Sequence, residues 1–250
     1  MSGHSKWATI KRKKAATDAA RGKQFSRVIK EIAIAVRQGG GPDPDANPRL
    51  RTALLAAKSI NMPASNIERA IKRASGEGDG VHIEETQYEG YGPGGVAILV
   101  TVATDNKNRT VGEIRNIFTK HGGSMSEAGS VAYLFSPHGH VQVDKSAVAE
   151  DDLLEIVLEA GAEDVQTEGE AYDVFTAPEQ LEAVKAALDA RGVPVQSAEL
   201  TRIASTQVPV DDDKAGSLLR LLDVLEDHDD VQKVYANFTV SDEVMARLSR

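Results

Sequence analysis

The sequence predicts an α+β multidomain chain, with an N-terminal three-helix bundle followed by two ferredoxin-like-type α/β domains, the third inserted into the second. Three observations carry this. Apolar residues recur at helical spacing up to residue 74, the period changes to two from residue 81, and residues 140–203 run in the order β-α-β-β-α-β. The implied domains are 1–80, 81–136 plus 205–250, and 137–204.

In the helical part, Phe25, Val28, Ile29, Ile32, Ala33 and Val36 make one apolar stripe over a helix at 15–38. Lys23, Arg27, Lys30 and Arg37 fall on another side at i, i+4, i+7 and i+14. Gly39-Gly40-Gly41-Pro42 ends this helix, because glycine takes the left-handed cap and proline cannot continue it. Asn47-Pro48 opens the next, buried through Leu50, Ala53, Leu54 and Ala57. Ser65 and Glu68 have capping-box spacing for a third, buried through Ile67, Ala70, Ile71 and Ala74. Gly76–Gly80 reads as a linker.

Strands are expected at 82–91 and Val96–Thr104, around Tyr91-Gly92-Pro93-Gly94-Gly95. A helix over Asn108–His121 and a strand at Val131–Phe135 follow. The inserted domain is read as strand Val141–Val143, helix Asp151–Ala160, strands Glu163–Thr167 and Ala171–Thr176, helix Pro178–Ala190 and strand Val195–Ile203. A strand at Thr206–Val210, a helix at Lys214–Leu225 and a strand at Val231–Thr239 are too few to stand alone. They are expected to complete the sheet begun by residues 81–136.

Charge is divided along the chain. Residues 1–37 hold ten Lys/Arg against Asp18 and Glu31, a local net of +8, in a protein whose total is −9. Residues 81–250 carry a net of −18. Such asymmetry points to a polyanion held at the basic end. The acidic lobe would be repelled from that polyanion, leaving it to meet a basic protein partner.

Other functions find little support. The chain has no cysteine, which excludes disulfides, thiolate metal sites and cysteine nucleophiles. No apolar run approaches a membrane span, and the first residues lack the apolar core of a signal peptide, so they read as part of the mature protein. The Gly90–Gly95 glycines lie between two strands, where a hairpin turn needs them, rather than between a strand and a helix as a phosphate loop requires. His138 and His140 read as a surface turn, and Asp211–Asp213 and Asp151–Asp152 as helix-start carboxylates. No catalytic motif, cofactor site or metal site is expected.

Six stretches carry a resemblance: Gly3–Trp7, Gly39–Arg51, Asn66–Ile71, Tyr88–Gly95, Asp105–Val111 and Gly129–Phe135. By these the chain resembles the YebC/PmpR family, which includes a mitochondrial translational activator of a cytochrome oxidase subunit. Gly41-Pro42-Asp43 departs slightly from that family's usual run of glycines into Asp-Pro. The resemblance implies a helical domain, two α/β domains and a non-enzymatic role in gene expression in the cytoplasm. DNA-binding transcriptional regulation is the commonest description of bacterial members, and translation at the ribosome is the alternative.

Joined to the charge map, this makes His4, Ser5, Lys6, Trp7, Lys11, Arg12, Lys13, Lys14, Arg21, Lys23, Arg27, Lys30 and Arg37 the expected nucleic-acid contacts. Arg49, Arg51, Arg69, Lys72 and Arg73 form a second area. Lysine and arginine would neutralise phosphates, and Trp7 would stack on a base or anchor the segment. The second and third helices have helix-turn-helix order, with Asn66 beside the cations of the third. The target is DNA, or ribosomal or transfer RNA.

Overall fold

The computed structural model describes residues 18–76, 83–167 and 171–241, with Asp18–Arg21 by backbone alone. Helices α1 (Asp18–Gln38), α2 (Pro48–Ser59) and α3 (Ala64–Ala74) pack through Ile32, Ala35, Val36, Leu50, Ala53, Ala70 and Ala74. The turn from α1 into α2 is organised by Asn47, which is fully buried. Its Oδ1 accepts the Leu50 N–H at 3.0 Å, capping α2, while Nδ2 donates to the Ala35 and Gly41 carbonyls, both at 2.8 Å. Gly39 is required beside it: a Cβ there would stand 2.6 Å from both the Ala35 carbonyl and Asn47 Oδ1.

Two local expectations change here. On α1, Ile29 is exposed while Ile34 and Ala35 are buried. Ile34 follows Lys23, Arg27 and Lys30 at i+11, i+7 and i+4, so the helix covers a second face as well as the one toward α2 and α3. The capping box at Ser65–Glu68 does not form. Pro63 is the N-cap, its carbonyl accepts the Asn66 and Ile67 N–H groups, and Ser65 falls inside the first turn.

Further along lie β1 (Glu84–Gly92), β2 (Val96–Thr104), α4 (Lys107–Lys120) and β3 (Ser124–Ser126). Then come β4 (Phe135–Asp144), α5 (Glu150–Glu159), β5 (Ala162–Gln166), β6 (Ala171–Thr176), α6 (Leu181–Ala190) and β7 (Val195–Ala204). The last elements are β8 (Val208–Pro209), α7 (Asp212–Asp227), β9 (Val231–Ala236) and β10 (Phe238–Thr239). By compactness, residues 134–205 form one unit and the remaining described residues another.

In the unit of residues 134–205 the sheet order is β5-β6-β4-β7, with every neighbouring pair antiparallel. That is the split β-α-β arrangement read from the sequence. Val141, Val143, Leu153, Val157, Val174, Val184 and Leu188 form its core. His138 and His140 lie within β4 rather than in a turn. His140 stacks on Phe175, with ring centroids 4.9 Å apart, and its Nε2 is 2.8 Å from Asp173. Cross-strand partners on both sides of β4 extend it well beyond the three residues expected.

The other sheet, β3-β1-β2-β9, is also antiparallel but differs in connection. Its β1–β2 hairpin is central, so it does not share the ferredoxin-like order. Strand β8 does not join it. It pairs in parallel with β10, because the Val208 N–H bonds to the Asn237 carbonyl while the Asn237 side chain closes β2 through the Ala97 N–H. Residues 132–134 form a 3₁₀ turn in place of the expected strand. The buried Glu89 carboxylate collects the N–H groups of Gly129, Val131 and Ala132 at 2.7, 2.6 and 2.8 Å, which bends that segment away from extended pairing. The glycine turn is as read, with Gly94 and Gly95 at φ +82° and +76°. Helices α4 and α7 cover this sheet through Ile114, Phe118, Leu218, Leu221, Leu222 and Leu225.

Candidate nucleic-acid interface

Helix α1 places its cations one turn apart against the end of α7 and the connection into β9. Lys23 Nζ donates to the Asp227 carbonyl at 3.0 Å and lies 3.4 Å from the Asp227 carboxylate. Arg27 donates through Nε to the Val231 carbonyl at 3.0 Å and through Nη2 to the Glu226 carbonyl. Lys30 Nζ reaches the Asp229 carbonyl at 2.9 Å and Asp230 Oδ1 at 2.8 Å. The last turn of α7 has no basic residue of its own, so α1 supplies the positive charge that a helix C-terminus favours. Burial lowers the Arg27 pKa, against the pull of Glu226, Asp227 and Asp229.

Asp230 is the buried centre of this contact. Besides Lys30, it receives Arg109 Nη2 at 2.8 Å, and the Thr110 and Thr104 hydroxyls lie 2.8 and 3.1 Å from Oδ2. Burial by itself would raise its pKa. The bonds from Lys30, Arg109 and Thr110 overcome that and hold it well below the usual carboxylate range. Asn106 caps α4 by accepting the Arg109 N–H at 3.1 Å, and this sets Arg109 and Thr110 on the first turn facing Asp230. Arg109 also pairs with Asp105 at 3.0 Å. The string Asp105–Val111 is therefore the device that receives Asp230.

Among the described residues, Glu113, His228 and Asp230 bring ligand-type atoms within 4.8 Å of one another. They fit a hydrogen-bonded network better than a cation site. His228 Nδ1 accepts the Asp230 N–H at 3.1 Å, so the ring proton is on Nε2 and is donated to Glu113 at 2.9 Å. Lys30 and Arg109 occupy the Asp230 oxygens. A groove of about 890 Å³ runs past Lys23, Lys30, Arg109, Glu113 and His228.

The sequence-derived contacts thus separate into groups. His4 to Trp7 and Lys11 to Lys14 lie outside the described residues, as does the Arg21 side chain. Lys23, Arg27 and Lys30 face the 226–231 segment. Arg37 donates to the Ala74 carbonyl at 3.4 Å. Arg49 bridges Glu31 at 2.8 Å and Glu85 at 3.1 Å, and although burial opposes its charge, these two carboxylates raise its pKa. Arg51 holds the Pro44 and Asp45 carbonyls at 2.8 and 2.9 Å. Arg69, Lys72 and Arg73 are exposed on α3, opposite its buried Ala70 and Ala74, with Asn66 half-buried nearby. Sequence reasoning did not find Asp230, Glu113 or His228 as a group, since Glu113 lies more than a hundred residues before the other two.

The sequence model of the TACO1/YebC protein N-terminal domain matches residues 5–77, and that of the TACO1/YebC second and third domain matches residues 83–238. The chain belongs to the TACO1/YebC family. Its relatives include a protein of Syntrophobacter fumaroxidans, 55% identical over 250 residues and covering all of both chains. Another, from Dictyoglomus thermophilum, is likewise 55% identical over 250 residues with both chains fully covered. Each is called "Probable transcriptional regulatory protein". The crystal structure of a conserved hypothetical protein, Aq1575, from Aquifex aeolicus superposes with a TM-score of 0.84 at 49% identity, covering 91% of this chain and 94% of that one. No described helix is long and apolar enough to cross a membrane.

Proposed function

We propose that this protein is a non-enzymatic, nucleic-acid-binding regulator of gene expression, acting in the cytoplasm as a DNA-binding transcriptional regulator. The observation that carries the reading is the outward face of α3, where Arg69, Lys72 and Arg73 stand together, in a chain whose first residues are rich in lysine. The names of the relatives support regulation of transcription. In this reading the chain is arranged as a basic domain of residues 1–80, a discontinuous domain of 81–136 plus 205–250, and an inserted domain of 137–204. The pairing of β2 with β9 supports the discontinuity. The acidic lobe is left to meet a basic protein partner.

The α3 face also favours a second reading, a translation factor at the ribosome. Glu68, Arg69, Lys72 and Arg73 are charged and exposed, and Asn66 is the only amide within α3. Such a face suits phosphates and RNA shape better than base edges. Sequencing the nucleic acid crosslinked to the protein in cells separates the two. Promoter DNA supports the first and ribosomal RNA the second. Alanine at Lys11, Arg12, Lys13 and Lys14 should flatten the slope of log K against log salt by about 0.9 per lost contact on duplex DNA. An unchanged slope and affinity would remove residues 11–14 from the interface.

A further inference from the structure

We propose that Lys23, Arg27 and Lys30 form a phosphodiester-binding row held covered by the chain's own Glu226–Val231 segment, so that a nucleic-acid backbone gains these cations only by displacing it. This rests on the nucleic-acid reading above and adds a regulated site to it. The three side chains sit at i, i+4 and i+7, a row about 10 Å long on one helix face. A duplex presents a charge for about every 1.7 Å of its axis, so a row of that length lies within reach of several phosphates.

What covers the row is a series of oxygen acceptors. They are the carbonyls of Glu226, Asp227, Asp229 and Val231 and the carboxylate of Asp230, gathered where the α7 dipole is negative. Glu226, Asp227 and Asp229 attract Arg27 further through their charge. These groups offer the cations what a phosphate backbone would offer. The cover is graded. At the outer end the Lys23 and Asp227 side chains are 41% and 64% exposed, whereas at the inner end Lys30 and Asp230 are 21% and 8% exposed. Exchange of partners starts at Lys23, where water already reaches the pair and salt screens it. Asp230 keeps Arg109 and Thr110 when Lys30 leaves, so the inner end can open without stranding a bare buried charge.

The test compares the full chain with D227N/D229N and with D211N/D213N, which removes the same charge at the exposed start of α7. Affinity for a short duplex DNA and for a hairpin RNA is measured across salt. The cover predicts several-fold tighter binding by D227N/D229N than by D211N/D213N, with a duplex-DNA slope steeper by about 0.9 for each recruited phosphate. Equal behaviour of the two variants overturns the cover and leaves the nucleic-acid reading standing. Absence of binding by every form, the unaltered chain included, overturns both. In the unaltered chain, duplex binding should also speed hydrogen exchange at the His228 and Val231 amides, which bond to the Leu225 and His228 carbonyls. Unchanged exchange on binding counts against displacement even if the variants misfold.

Discussion

Lys30 Nζ lies 2.8 Å from Asp230 Oδ1, joining residues 200 positions apart in the chain. With Arg109 on the other carboxylate oxygen, the pair ties the first described helix to the strand that completes the β1–β2 sheet. A row of cations that the sequence marks as a polyanion contact is thereby also engaged by the chain's own 226–231 segment.

Asp230→Ala should destabilise the protein by roughly 1–3 kcal/mol, because the buried Thr104 and Thr110 hydroxyls and the Lys30 ammonium lose their shared acceptor. Urea unfolding measures this. A cost near that of an exposed ion pair, below about 1 kcal/mol, would mean that the network contributes little.

The same carboxylate predicts a pH dependence. Its folded pKa is depressed, so its stabilisation is complete above the unfolded aspartate value of about 3.9 and is lost as pH falls below it toward the folded value. Asp230→Asn should flatten the decline in stability across that acid range. Glu89 shifts in the same direction: burial raises its pKa, but the N–H groups of Gly129, Val131 and Ala132 together lower it. Comparing D230N with D230N/E89Q by unfolding at several acidic pH values apportions the effect.

Asn47→Asp should cost more than loss of a cap. Aspartate would still accept the Leu50 N–H, but it would turn a carboxylate oxygen toward the Ala35 and Gly41 carbonyls that Nδ2 now serves. We expect about 2 kcal/mol or more by chemical denaturation, against the typical ~1 kcal/mol of a lost cap. Equal stability of Asn47→Asp and the unaltered protein would show that the two carbonyls find other donors.

Glu89→Gln should loosen residues 129–132. An amide group facing three N–H donors can accept from fewer of them, and a loss of roughly 1–3 kcal/mol is expected. Faster hydrogen exchange at Gly129, Val131 and Ala132, with little change in α2, would locate the effect.

Trp7→Ala should impair function while leaving the salt slope nearly intact, and alanine at Lys11 to Lys14 should do the reverse. Stacking or anchoring releases no counterions, whereas each phosphate contact does. Matched slopes for the two variants would contradict a division of labour between Gly3–Trp7 and the basic run.

By itself the sequence determined the local structure and the charge division. The helices of the bundle, the Asn47 cap, the glycine turn at 93–95 and the β-α-β-β-α-β order of residues 140–203 all follow from periodicity, capping and turn chemistry between near neighbours. Tertiary structure decided where the charges go. Lys23, Arg27 and Lys30 share a face by spacing alone, but only the approach of residues 226–231 shows that this face is covered. Asp230 stands just before a strand in the sequence and reveals nothing of its burial. Its partners come from α1, from the end of β2 and from the first turn of α4. The capping box failed for a local reason, since Pro63 took the cap first, whereas β8 left the main sheet for a distant one, the closure of β2 by Asn237. Periodicity reports which face of an element is buried, and long-range pairing selects what lies against it.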